Sequence, residues 1–238
     1  MISRLVICFS LSVALAISAT VRGKISIEEP NGKHAKALQL SSVVIWLNDG
    51  KAESGTFVNA HAVKAKMLQK NKTFTPHVLA IPIGSTVEFP NADPIFHNAF
   101  SNYNGQIFDI GLYPPGSTRS VKFQKPGVVR VFCNIHASMS AVIVVLSSPW
   151  FATSDSEGLF EIEDVPEGIY RLGLYYERAT EQALSELQRT VPVGSETVDL
   201  GTIPISESGY LSIPHLNKYG KPYPSAPSDP GAYPGARP

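Results

Sequence analysis

The chain has 238 residues, of which 43% are hydrophobic and 17% charged, enough for one large or two small domains with buried cores. Its 20 Lys and Arg balance 20 Asp and Glu. That neutrality excludes the basic stripe with which a nucleic-acid binder meets phosphates, and it equally excludes an acidic tail.

At the N-terminus, Met1-Ile2-Ser3-Arg4 carries one positive charge ahead of an apolar run over residues 5–19. Ala14-Leu15-Ala16 has the small-x-small form that a signal peptidase cuts, and Ala19 offers a second site. The run is short for a membrane span, and no later stretch is longer. A signal peptide over 1–19 and a mature protein without a membrane span, in the periplasm or outside the cell, are therefore expected. Export sharpens the cysteine arithmetic. Of the two cysteines, Cys8 leaves with the signal, and Cys133 enters an oxidising compartment with no internal disulfide partner.

Nearly every later segment reads as strand. Residues 21–27 alternate, and Ser42-Val43-Val44-Ile45-Trp46-Leu47 is a β-branched run ended by Asn48-Asp49-Gly50. Thr86-Val87-Glu88-Phe89 stops at Pro90-Asn91. Residues 128–132 and 141–146 are strongly β-branched and flank Cys133. Leu159-Phe160-Glu161-Ile162 and residues 169–176 follow, separated by Pro166-Glu167-Gly168. Short strands bounded by Gly, Pro and Asn at this density indicate β-sandwiches. One helix is predicted over residues 178–188, where Ala179, Ala183, Leu184 and Leu187 share a side. From Pro214 the chain holds seven prolines in its last 25 residues. That composition cannot bury a core, so an extended tail with little fixed structure is expected over 207–238.

The sharpest local signal is Cys133-Asn134-Ile135-His136-Ala137-Ser138-Met139. Three residues able to ligate copper fall within seven positions, on a loop joining two strands. A thiolate and an imidazole suit the copper plane, and a thioether at longer range suits the axial position. A second imidazole must come from elsewhere, and His97 in Pro94-Ile95-Phe96-His97-Asn98 is the candidate. His34, His61 and His215 read as surface residues, and His77 as a solvated one.

This constellation resembles the cupredoxins, in which a His-Asn pair meets a Cys-x-x-His-x-x-Met loop. The short spacing from His136 to Met139 is similar to amicyanin. Phe74-Thr75-Pro76, residues 84–91 and Phe123-Gln124-Lys125-Pro126-Gly127 are similar to the strand and turn signatures of small cupredoxins, so the resemblance covers about residues 62–147. It implies a Greek-key β-sandwich holding one type 1 (blue) copper. Its equatorial ligands would be His97, Cys133 and His136, and its weak axial ligand Met139. Asn98 would lie beside the ligands, its amide donating to the cysteine sulfur and its side chain tying the two loops. The implied role is one-electron transfer, with His136 as the port and Ile95, Phe96, Ile135 and Ala137 as a docking patch for a redox partner protein. Oligomeric state stays open.

A second resemblance begins at Asp155. An Asp-x-x-Gly turn before Leu159, followed by Pro166-Glu167-Gly168-Ile169-Tyr170, is similar to the carboxypeptidase regulatory-like, or transthyretin-like, β-sandwich. Its usual first strands are found far upstream, in Gly23-Lys24-Ile25 and Val43-Val44-Ile45. Residues 20–61 are therefore expected to belong to the second sandwich over 148–206, with the cupredoxin inserted between its second and third strands. The combined order resembles bacterial proteins labelled methylamine-utilisation or plastocyanin-like.

Two copper-enzyme readings lack their ligands: copper nitrite reduction needs a second copper bound by three histidines, and the remaining histidines are scattered. A trinuclear centre needs His-x-His pairs and histidines beside the copper cysteine, yet Cys133 is flanked by Phe132 and Asn134. No Ser-His-Asp set or phosphate-cradling glycine loop is present, so no enzymatic activity is expected. A copper carrier or sensor, or a structural or surface-binding β-sandwich protein, remains as an alternative.

Overall fold

The computed structural model describes residues 18–28, 40–50, 62–102, 105–211 and 215–223. In chain order the strands are β1 (Ser18–Glu28), β2 (Val44–Asn48), β3 (Lys64–Lys66), β4 (Leu68–Lys70), β5 (Thr73–Thr75) and β6 (Val78–Pro82). There follow β7 (Thr86–Pro90), β8 (Phe100–Ser101), β9 (Phe108–Asp109), β10 (Thr118–Lys122), β11 (Gly127–Phe132) and β12 (Ser140–Leu146). The last are β13 (Phe151–Thr153), β14 (Leu159–Pro166), β15 (Gly168–Tyr175), β16 (Thr190–Val193) and β17 (Val198–Ser206), with helix α1 (Glu181–Glu186) before β16. The protein is all-β apart from short helical turns.

Two pairs of sheets each enclose a core. The first pair is β10-β7-β3 and β6-β12-β11-β8-β9. Met67, Phe74, Val87, Phe89, Phe123, Val129, Val131, Ile143 and Val145 fill the space between them, together with Cys133 and Met139. The second pair is β14-β1-β17 and β13-β2-β15-β16, around Val21, Ile25, Val43, Ile45, Leu47, Phe160, Ile162, Leu172 and Ile203. The N-terminal strands lie inside this second body. β1 runs antiparallel to β14 and parallel to β17, and β2 pairs antiparallel with β13 and β15. The chain leaves this body after β2 and re-enters it at β13, and β3 to β12 make up the other sandwich.

The two bodies share a third apolar layer. Val44, Val78, Val142, Val144 and Leu146 are buried together, with Trp46, Val128, Phe151 and Tyr175 packed against them. β12 therefore buries both faces: Ala141, Ile143 and Val145 inward, and Val142, Val144 and Leu146 toward the second body. A strand covered on both sides has no polar face to show, which is why its sequence is a continuous apolar run rather than an alternating one. Gly173 on β15 makes room in the same layer, since a Cβ there would lie 2.2 Å from the Trp46 indole.

Helix α1 is shorter than the predicted 178–188. Thr180 takes a β conformation and its hydroxyl accepts from the Ala183 amide at 3.1 Å, which fixes the start. The predicted tail needs a larger correction. Residues 207–211 and 215–223 have defined positions, because their polar groups bond to the folded body. Glu207 is buried and its carboxylate accepts from the Tyr176 hydroxyl at 2.6 Å and from Arg178 at 2.9 Å. Residues 215–223 lie on the 133–139 loop, as described below. The remainder of the predicted tail, residues 212–214 and 224–238, lies outside the described residues. So does the predicted leader except for Ser18 and Ala19, which belong to β1 and pair with Pro166 and Val165. Among the described residues no helix is long and apolar enough to cross a membrane.

His77, predicted to be solvated, is exposed, and it also joins the two bodies. Its Nε2 lies 2.5 Å from Glu177 Oε2 and its Nδ1 3.1 Å from the Ser140 carbonyl, and Arg130 stands 3.6 Å from the other Glu177 oxygen. The hydrogen bond that His77 donates to Glu177 holds the His77 pKa above its usual 6.5 against the opposing effect of burial. Burial pushes the Glu177 carboxyl up, but His77, Arg130 and Arg178 outweigh it and hold it low. A raised histidine pKa stabilises the fold fully below about 6.5, and the gain is lost as pH rises through the folded value. Thermal unfolding should therefore show wild-type stability falling as pH rises above about 6.5, by no more than about 1 kcal/mol at this half-exposed pair. His77→Gln should flatten that slope; equal slopes would show that the pair does not link the bodies.

Candidate metal centre

The centre is built from two loops at one end of the first sandwich. β11 and β12 pair in register up to Phe132 opposite Ser140, so residues 133–139 form the hairpin loop between them. Two backbone bonds shape it: the Cys133 amide donates to the Met139 carbonyl at 3.1 Å, and the Met139 amide to the His136 carbonyl at 3.1 Å. The second loop carries His97, whose amide and carbonyl exchange hydrogen bonds with Tyr113 at 3.2 and 2.9 Å. Asn98 joins the loops, its side-chain oxygen accepting from the Asn134 amide at 2.6 Å.

These constraints bring three donor atoms to one point. The Nδ1 atoms of His97 and His136 lie 3.8 and 3.6 Å from Cys133 Sγ, and the three ligand atoms fall within 4.8 Å of one another. Metal–nitrogen bonds of about 2.0–2.1 Å and a metal–sulfur bond of about 2.3 Å place N and S roughly 3.6–3.8 Å apart when the angle at the metal is trigonal or tetrahedral. Both nitrogen–sulfur separations therefore match those of a single bound ion. One thiolate and two imidazoles form a set that suits copper. The three side chains can hold a metal ion, and their chemistry suits copper.

The electrostatics agree with ligand duty. His97 and Cys133 are fully buried and His136 is half-buried. Burial, and to a lesser extent the neighbouring His97, lower the His136 pKa to about 4, which keeps the imidazole neutral and its lone pair free at neutral pH. Burial raises the Cys133 pKa, opposed by the backbone amides of Asn98, Ile135 and His136, which point at the sulfur. Those amides are placed to receive a thiolate.

Met139, predicted as the axial ligand, is fully buried in the same core as Cys133. Of the predicted docking residues, Phe96 and Ala137 are exposed and Ile95 and Ile135 half-buried. The sequence reading missed Asp93. Its carboxylate accepts from His97 Nε2 at 2.8 Å and from the Asn71 and Lys72 amides at 2.6 and 2.9 Å. Burial pushes the Asp93 carboxyl up, but these bonds outweigh it and hold it low. The carboxylate fixes the His97 tautomer so that Nδ1 faces the cluster. Its only sequence trace is its place four residues before His97, in a loop without periodicity. His215, read as a surface residue, bonds to the 133–139 loop, as does Tyr223, which the Pro-rich sequence hid.

No family model matches the chain, and no curated protein does. Among solved structures, part of it is similar to a Cu-containing nitrite reductase from Thermus scotoductus SA-01, 29% identical over 35% of this chain and 22% of that one, with a TM-score of 0.34. A purple cupredoxin from Nitrosopumilus maritimus is 26% identical over 34% of this chain and 99% of its own, with a TM-score of 0.32. A reduced amicyanin variant is 18% identical over 37% of this chain and 86% of its own, with a TM-score of 0.33. The chain spans barely a fifth of the nitrite reductase. The reading of the centre accordingly stands on its donor geometry.

Asp93→Asn should lower Cu(II) affinity by about 10–100-fold in competition with a chelator, the usual effect of losing a carboxylate behind a ligating histidine. It should also destabilise the metal-free protein by about 1–3 kcal/mol, because one neutral oxygen replaces two charged ones that accept three bonds. Unchanged affinity would remove Asp93 from the site.

Proposed function

We propose that this protein is an exported mononuclear blue copper protein that carries single electrons in the periplasm. The observation that carries the proposal is the convergence of two imidazole Nδ1 atoms on one buried thiol, at separations that fit an ion. Met139 supplies the weak fourth ligand. Copper bound by such a set changes oxidation state with little movement of its ligands, which suits one-electron transfer. The protein's part is to keep the donors fixed and dry. The Asn98–Asn134 bond, the Asp93–His97 bond and the closed 133–139 loop all serve that end. His136, half-buried beside exposed Ala137 and Phe96, is the edge through which electrons enter and leave, and those residues with Ile95 and Ile135 form the docking patch.

We read the protein as a carrier rather than an enzyme. Among the described residues, His97, Cys133 and His136 form the only cluster of three or more His, Cys, Asp or Glu side chains close enough to hold an ion. The second body is read as a transthyretin-like sandwich interrupted by the copper sandwich. The leader is read as cut after Ala16, since a cut after Ala19 would remove Ser18 and Ala19 from β1. A copper carrier or sensor could use the same ligands. The deep burial of Cys133 and His97 favours retention of the ion over exchange.

Titration of the mature protein with Cu(II) should raise an intense thiolate-to-copper charge-transfer band in the visible spectrum, saturating at one equivalent. Cys133→Ala should abolish it. Folded protein without such a band would end the electron-carrier reading, and ready transfer of copper to an acceptor protein would favour the carrier.

A further inference from the structure

Residues 215–223 cross the outside of the 133–139 loop and bond to it along its length. His215 Nε2 donates to the Ala137 carbonyl at 2.7 Å, and the His215 ring stacks on Phe132, with centroids 4.0 Å apart and planes 28° from parallel. The Tyr223 hydroxyl donates to the Cys133 carbonyl at 2.8 Å and stands 3.3 Å from His215 Nδ1. Between them, the Lys218 amide donates to the Asn134 side-chain oxygen at 3.0 Å, and its ammonium pairs with Asp109 at 2.8 Å. Asn134 is thereby held on both sides, its amide by Asn98 and its side chain by Lys218.

We propose that residues 215–223 are a clasp that holds the 133–139 loop in its metal-binding shape and slows the departure of the metal. The inference rests on the copper reading above. Three of the four ligands proposed there, Cys133, His136 and Met139, lie on this one loop. Release of the ion requires the loop to open, because Cys133 and Met139 are fully buried when it is closed. The loop's own bonds are the two backbone ones and those of the Ile135 and His136 amides to the Cys133 sulfur, while Ala137 and Ser138 are exposed to solvent. The clasp adds bonds at the first residue, the second and the fifth, so opening must break those as well. His215 and Tyr223 are positioning residues: they touch no proposed donor atom and act through the loop backbone.

The test uses the full chain with His215→Ala and Tyr223→Phe, singly and together, beside Leu211→Ala as an exposed control. Hydrogen exchange of the metal-free protein reads the clasp directly, and the double variant should expose the Cys133 and Met139 amides to exchange on the order of tenfold faster, the effect of losing one or two net hydrogen bonds. Extraction of copper by a strong chelator should accelerate by a similar factor, with a shifted charge-transfer band. Leu211→Ala should match wild type in both. Exchange or extraction within twofold of wild type in the double variant would overturn the clasp. If wild type shows no thiolate–copper band, the copper reading fails, and exchange in the metal-free protein still decides whether the clasp holds the loop.

Discussion

The double burial of β12 is the constraint on which the rest of the structure depends. Its odd residues, Ala141, Ile143 and Val145, close the core of the first sandwich, and its even residues, Val142, Val144 and Leu146, close the layer against the second body. A one-residue slip would exchange the two faces throughout. Between small Ala141 and bulky Leu146 the two cores cannot accept that exchange without voids or clashes. Register is therefore fixed from both sides, and with it the pairing to β11 that ends at Phe132 and Ser140. The ligand loop starts where that pairing stops. Its donor atoms inherit their positions from a strand that has no freedom to shift, which is what a pre-formed site requires.

The interface also explains why one chain interrupts one sandwich with another. β2 ends at Asn48 and the next strand of its body begins at Phe151, so the first sandwich is tethered at both ends to the same sheet. Two tethers alone would allow rocking. The shared layer of Val44, Val142, Val144 and Leu146, with the charged His77–Glu177–Arg130 group beside it, joins the bodies into a packed unit. The second body then acts as a fixed base for the ligand loop.

Legibility in the sequence followed the kind of contact involved. Strands that alternate or are uniformly apolar, such as residues 21–27 and 141–146, were readable because burial imposes a period on the side chains. Cys133, His136 and Met139 were readable because a short loop places near neighbours round one point. His97 was readable as the further imidazole the loop lacks, and the resemblance of its surroundings strengthened that assignment. Asp93 was not, since a carboxylate behind a histidine is set by tertiary approach to the Asn71–Lys72 turn and leaves no period. The segment 215–223 was misread for a related reason. Its composition correctly says that it builds no core, but a Pro-rich segment can be ordered by hydrogen bonds to another element's exposed carbonyls.

Those carbonyls were themselves a consequence of the loop. A seven-residue hairpin loop that turns its thiol and imidazole inward must turn much of its main chain outward, and its carbonyls then need water or another partner. The carbonyl of Met139 is satisfied within the loop by the Cys133 amide, and that of His136 by the Met139 amide. The carbonyls of Cys133 and Ala137 are the ones taken by Tyr223 and His215. The clasp thus falls where inward-facing ligands leave the backbone unsatisfied, and its position follows from the same geometry that gathers the donor atoms. Gathering the ligands inside and recruiting a cover outside are two results of one folded loop.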